Sequence, residues 1–244
     1  HLARAGHSVD IFESGEALGG LLRTGVPEYR LPKSILDAEI NRVLVMGIHV
    51  RLNYKVTDVL KEKKDGNFDA VYLGIGAQLI NSDVFQTTET ATVTDAFSFF
   101  KDTVSNPDKY TNKKVAIYGG GKLALYLARI IKRYNSEAVV LFPGDKNLMP
   151  AFDYETEDAL AEGVEVQLLK SIAKIEKKVL TIEKMKVARN KAVGTGEYET
   201  IEADAVIVAM GQQAETNFLR SVPGILLKDD GTVVINQERM TGYA

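Results

Sequence analysis

The 244-residue chain contains no cysteine. Disulfides, thiol redox chemistry and a cysteine-ligated iron–sulfur cluster are therefore excluded within these residues, and electrons passing through them need an organic carrier. Histidine is nearly as scarce. The only three, His1, His7 and His49, are scattered without metal-ligand spacing, and each reads as a surface or packing residue. Basic runs are missing too: 30 Lys and Arg face 33 Asp and Glu, for a net charge of −3. No block or stripe gathers phosphodiester backbones, which argues against a nucleic-acid partner. No apolar segment approaches the roughly 20 residues that cross a bilayer, and no signal-like start is visible, so a cytoplasmic protein without a membrane partner is expected. What remains is ordinary, with 45% hydrophobic and 26% charged residues, enough for two modest domains.

The most informative run is Lys114-Val-Ala-Ile-Tyr-Gly119-Gly120-Gly121-Lys122-Leu123-Ala124. It reads as a strand, a glycine turn and a helix start at dinucleotide-binding spacing. Val115 and Ile117 suit a strand buried on both faces, and Gly119 permits a sharp turn at its end. Gly121, lacking a side chain, lets the backbone approach a pyrophosphate, while Ala124 lets the helix pack close to the strand. A helix over 122–134 would bury Leu123, Leu127, Ile130 and Ile131 and aim its N-terminal N–H groups at an anion. Ala138–Phe142 supplies the second strand of a β-α-β unit. The competing reading is a structural glycine turn. An ATP-binding P-loop is excluded, because Ser or Thr must follow the lysine to hold magnesium and Leu123 stands there.

A second signature opens the chain. His1–Glu13 reads as a helix end, a glycine cap at Gly6, a strand and an acid, and Glu13 is a candidate ligand for an adenosine ribose. The matching first strand and glycine turn are expected upstream of His1, so the sequence is expected to start inside a fold. Phe68–Gly76 reads as a buried strand ending in glycines, and Asp204–Gly211 repeats the pattern. The alternating segments between 170 and 201 read as an antiparallel meander. Asp153–Asp158 reads as an acid-rich helix start in preference to a metal site. Asp95–Phe100 reads as a helix start whose aromatics pack where two domains join.

From Glu13 the motifs are specific: Leu18-Gly19-Gly20-Leu21, then Thr24-Gly-Val-Pro-Glu-Tyr-Arg30-Leu-Pro32, Met149-Pro-Ala151 with Glu155, Glu162-Gly-Val164, and Asp204 through Gly211 to Gln212. In this order and spacing the chain resembles the small (beta) subunit of glutamate synthase and the flavin domains of dihydropyrimidine dehydrogenase. The resemblance implies an α/β fold of two Rossmann-like dinucleotide-binding domains in a glutathione-reductase-like layout, the nicotinamide domain inserted into a truncated flavin domain. Residues 1–105 would be the flavin part, 112–228 the NAD(P) part and 229–244 a return segment. It further implies FAD and NADH or NADPH as cofactors, and an iron–sulfur protein or a large catalytic subunit as partner. Carried over by position, Glu13, Gly19, Gly20, Leu21 and Arg30 are flavin contacts, the backbone at Val56 meets adenine, and Gly119 to Ala124, with Gly120 and Gly211, serve the cofactors. No catalytic acid or base is expected in this chain.

The sequence departs from that family at telling places. Lys122 and Tyr126 stand where the family has Asn and Asp, and Pro143-Gly144-Asp145 replaces a basic pair that grips the 2′-phosphate of NADP. Asp145 would either receive the ribose hydroxyls of NAD or solvate a Pro-Gly turn, and Lys146 remains available to a phosphate. Lys122 opposes the helix dipole unless a pyrophosphate compensates it or it swings into water. A C-terminal Gly-Asp motif that completes the family's flavin site is not reached. The isolated chain is therefore expected to bind FAD weakly or not at all. Two functions compete: an electron-transfer flavoprotein subunit, and a binding or scaffold module with a degenerate nicotinamide site.

Overall fold

The computed structural model describes residues 1–77, 79–80, 86–87, 91–151, 154–238 and 240–241. It divides into two compact units, His1–Leu79 with Gln212–Ala244, and Ile80–Gly211. The sequence reading drew its boundaries later, near 105 and 228. The difference arises because Val93–Asp95 pairs with Ala205–Val208 and so belongs to the sheet of the second unit.

That sheet holds five parallel strands in the spatial order Val93–Asp95, Ala205–Val208, Lys114–Tyr118, Glu137–Phe142 and Glu165–Leu168. From Lys114–Tyr118 the chain moves two strands outward on one side, then returns to lay Ala205–Val208 on the other. The carboxyl ends of these two neighbours therefore form a topological switch point. Both faces are covered, which is why these strands read as continuous apolar runs. Val115, Ile117, Val140 and Ile207 meet the helices. Ala116, Tyr118, Val139, Leu141 and Val206 meet the meander through Ile172, Ile175, Leu180 and Ile182. The meander is the expected one: Lys170–Glu176, Val179–Ala188 and Lys191–Glu202 pair antiparallel.

The helix after the glycine turn runs Lys122–Arg133. Its buried stripe is Ala124, Leu127, Ala128 and Ile131, with Leu125 also buried, and the expected Leu123 and Ile130 flank it half-buried. The stripe is rotated because Ala124 and Ala128, the small residues, are those that let the helix axis come closest to the sheet. Asp95 caps the helix Ala96–Ser105 by accepting the N–H groups of Phe97 at 2.8 Å and Ser98 at 3.1 Å. Phe99 lies 4.7 Å from Tyr110 in the core of this same unit, a correction to the expectation that these aromatics fill a domain junction.

The first unit contains a smaller β-α-β element. Asp10–Phe12 and His49–Arg51 pair in parallel around the helix Lys33–Leu44. The expected opening cap is present: Gly6, at φ +90°, ends the short 3-10 turn Ala3–Ala5. Val59, Leu219 and Val222 form a separate small core, with Val56 and Leu73 against it. The buried strand expected over Phe68–Gly76 is not formed, and Val71, Tyr72 and Ile75 are exposed. A strand is defined by its ladder, and among the described residues none pairs with this segment.

The energetics of the second unit rest on the helix-sheet contact. Leu127→Ala should cost about 2–5 kcal/mol, against less than about 0.5 for Lys186→Ala on the exposed ribbon. Urea unfolding midpoints check this, and equal costs would mean the core is misassigned.

Candidate nucleotide-binding site

The glycine turn sits at the switch point. The Gly119 N–H donates to the Leu141 carbonyl at 3.0 Å and the Ala209 N–H to the Tyr118 carbonyl at 2.8 Å, tying the turn to both neighbouring strands. A Cβ on Gly119 would overlap the Ala209 carbonyl, and one on Gly120 would lie 2.5 Å from the Phe142 ring. These two glycines are demanded by the protein's own packing. Gly121 is different. Its backbone, at φ −87° and ψ 171°, suits any residue, and apart from its chain neighbours nothing lies within 4 Å of where its side chain would be. It precedes the first turn of Lys122–Arg133, and no side chain caps that turn. The arrangement offers an anion backbone N–H groups and the positive end of a helix dipole.

The segment after Phe142 walls the turn. Ala151 donates its N–H to the Gly120 carbonyl at 3.1 Å, and Thr156 Oγ1 donates to the Ala151 carbonyl at 2.6 Å. The Lys122 ammonium lies 5.2 Å from the Tyr154 ring centroid, and the Tyr126 hydroxyl donates to Glu155 at 3.0 Å. Lys122 and Tyr126 thus both engage the start of the helix Tyr154–Ala161. That helix is clamped from behind. Buried Arg129 meets Glu155 at 3.8 Å, Asp158 at 3.3 Å and Glu162 at 2.5 Å, and Arg133 joins Glu162 at 2.7 Å. Asp158 and Glu155 therefore serve this network; Asp153 lies outside the described residues. Hydrogen bonds from Arg129 and Arg133 hold the Glu162 carboxyl at a pKa of about 2.

At the end of the second strand, Asp145 closes a turn. Its Oδ1 accepts the N–H groups of Asn147 and Leu148, each at 3.0 Å, and its Oδ2 accepts the Asn147 amide at 3.3 Å. Gly144 is buried, and a Cβ there would lie 2.8 Å from both Leu148 Cβ and the Phe142 ring. Lys146 is exposed. An open cleft of about 590 Å³ lies at the opposite end of the sheet, lined by Lys113, Lys114, Lys132 and Asp204 among others. Parallel α/β sheets bind ligands at the carboxyl ends of their strands, which favours the glycine end over this cleft.

In the first unit, Glu13 follows the strand Asp10–Phe12, with its N–H on the Arg51 carbonyl at 2.9 Å and its carbonyl taking the Tyr54 N–H at 2.8 Å. Its carboxylate accepts the Gly15 N–H at 2.6 Å. Gly19 and Gly20 have φ of +119° and +47°, and Gly19 caps the short helix Gly20–Thr24 that carries Leu21. A Cβ on Gly19 would press on Leu36 at 3.0 Å, whereas Gly20 faces open space. Arg30 is exposed in the turn that follows, its N–H on the Pro27 carbonyl at 2.9 Å. Val56 packs on the Val59 cluster, and Gly211, exposed with φ +49°, ends the second unit. Sequence reasoning missed Phe142 beneath Gly120, Ala209 against Gly119, and Tyr154 beside Lys122. Only Phe142, as the last residue of a strand pointing at the turn, carried a usable signal.

The fold is that of two-domain dinucleotide flavoproteins. T. acidophilum thioredoxin reductase superposes with a TM-score of 0.71 at 19% identity, covering 98% of this chain and 80% of that one. The chain belongs to the pyridine nucleotide-disulphide oxidoreductase family, whose model matches residues 1–243. FAD and NAD(P)H are the cofactors of this family of oxidoreductases. Relatives include the NAD-dependent dihydropyrimidine dehydrogenase subunit PreT of Escherichia coli K12, 29% identical over 216 residues covering 87% of this chain and 50% of PreT. Another, from Cereibacter sphaeroides and described as a glutamate synthase [NADPH] small chain, is 27% identical over 255 residues, 95% of this chain and 62% of that protein. These agree with the resemblance read from the motifs. The chain spans between 23% and 38% of the first five curated relatives it matches. No described helix is long and apolar enough to cross a membrane.

The Arg129 clamp makes an acid-dependent contribution to stability. The folded pKa of Glu162, about 2, lies below its ordinary value of 4.5, so the contribution is full above about pH 4.5 and is lost as pH falls toward 2. Urea unfolding at pH 7 and pH 3 should show wild type losing more stability than Glu162→Gln. Equal losses would remove the clamp from the stability account.

Proposed function

We propose that the second unit binds NAD(P)H at the Gly119–Ala124 turn, and that the whole protein passes electrons from NAD(P)H through FAD to an iron–sulfur partner or large catalytic subunit. The observation that carries this is Gly121: a position open to space, with an ordinary backbone, before an uncapped helix start, where nothing in the protein itself calls for glycine. A side chain there would fill the approach to an anion. In this reading Gly119 and Gly120 shape the turn, and the N–H groups at Gly121 and Leu123 take the pyrophosphate. Ala124 keeps the helix close to the sheet, and Asp145 lies toward the adenosine ribose.

The insertion of a nicotinamide domain into a flavin part accords with a second compact unit, Ile80–Gly211, flanked in sequence by two stretches of the first. Glu13 would meet the flavin nucleotide's ribose, and the Gly19–Gly20 turn, Leu21, Arg30 and Val56 would contribute to its remaining contacts. The positive φ of both Gly19 and Gly20 and the fixed Glu13 carboxylate fit that use. Bound FAD and NAD(P)H supply the hydride and electron chemistry; these residues bind and orient. Since the 244 residues hold no cysteine, the disulphide of the family name is not provided by them, and electrons must leave to a redox group elsewhere. Relatives named as enzyme subunits support a partner of that kind.

Titration calorimetry of the chain with NADH and with NADPH tests the site. Gly121→Val should weaken binding at least about tenfold while costing no more than about 1 kcal/mol in urea unfolding, because the backbone there is extended and only the N-cap preference is lost. Unchanged binding would put the site elsewhere. A folded wild-type chain that binds neither dinucleotide would favour the scaffold reading, for which the Lys122 and Tyr126 substitutions argue.

A further inference from the structure

We infer that the site selects NADH over NADPH, through Asp145 and the closed space at Gly144. The inference rests on the nucleotide reading of the glycine turn. Discrimination between the two dinucleotides is a matter of what meets the adenosine ribose: two hydroxyls in one case, a phosphate bearing roughly two negative charges in the other. A 2′-phosphate is held by fixed cations, ideally arginine forks.

On that reading the strand Glu137–Phe142 would bring the chain to the adenosine ribose, and the residues following it are Pro143, Gly144 and Asp145. Pro143 carries no charge. Gly144 carries no side chain and has no room for one, since a Cβ would lie 2.8 Å from Leu148 Cβ and from the Phe142 ring. A cation at 144 would therefore require this turn to be rebuilt, and its absence is a property of the packing as well as of the sequence.

Asp145 adds a repulsive element. Three hydrogen bonds hold its carboxylate, two from Asn147 and Leu148 N–H groups at 3.0 Å and one from the Asn147 amide at 3.3 Å. The Leu148 and Met149 N–H groups also return to its carbonyl at 3.2 and 3.1 Å, so the turn is closed on both the carboxylate and the carbonyl of Asp145. A carboxylate offers about four acceptor positions, and Oδ1 uses two while Oδ2 uses one. Oδ2 retains capacity for a ribose hydroxyl, and its negative charge opposes a phosphate in the same place. The one cation in 143–151 is Lys146, an exposed side chain on a flexible stem that offsets this only in part.

Calorimetric titration of the full chain with NADH and NADPH at matched ionic strength decides it, with Asp145→Asn as the variant. The asparagine oxygen can still accept the Asn147 and Leu148 N–H groups, so the turn is kept and the charge removed; equal unfolding midpoints verify this. We expect NADH to bind about tenfold or more tightly than NADPH in wild type, and Asp145→Asn to bring the ratio within about threefold, chiefly by tightening NADPH. Equal affinities or an NADPH preference in wild type, or a ratio that Asp145→Asn leaves untouched, would overturn the inference while leaving the site itself standing. Binding of neither dinucleotide by folded protein would overturn the reading of the site and the inference together.

Discussion

The close approach of two backbones at the carboxyl end of the central sheet is the constraint on which the second unit depends. Gly119 lies so near the Ala209 carbonyl that no Cβ fits between them, and hydrogen bonds from Gly119 to Leu141 and from Ala209 to Tyr118 set the approach. Three parallel strands are thereby brought to one point, and the helix Lys122–Arg133 must start there. Its N-terminus lies at the switch point for that reason. The same closeness gives Ala124 and Ala128 their place, since a larger side chain would push the helix axis off the sheet.

Behind the turn, the protein joins two helices by charge and not by apolar contact alone. Arg129 is buried with three carboxylates around it, Glu155, Asp158 and Glu162. A buried guanidinium is costly unless paired, and here pairing ties the helix Tyr154–Ala161 to the helix Lys122–Arg133. Tyr126 reaches Glu155 from one side and Lys122 lies over Tyr154 from the other. Positions that looked like losses against the family pattern are thus used to fix the wall of the candidate site.

The first unit teaches the converse lesson. Phe68–Gly76 has the composition of a buried strand, yet Val71 and Tyr72 are exposed and no strand forms. Asp204–Gly211 has much the same composition and becomes the fully buried strand Ala205–Val208, because Val93–Asp95 and Lys114–Tyr118 flank it. Apolar residues supply the tendency to bury, whereas hydrogen-bonding neighbours on both sides supply the strand.

The β-α-β unit around Gly119–Gly121, the meander between 170 and 201, the lack of thiols within these residues and the family resemblance are all legible in the sequence. These are properties of local spacing, periodicity and composition, and each can be read without knowing what lies across the sheet. Tertiary structure alone decided that Gly119 and Gly120 answer to Ala209 and Phe142 while Gly121 answers to nothing in the protein. It also decided that Gly144 is closed to any side chain and that Asp145 is held by its own turn. The physical reason is that a glycine's role depends on the atoms its missing Cβ would meet. Those atoms lie on strands and loops tens of residues away, brought near only when the sheet assembles.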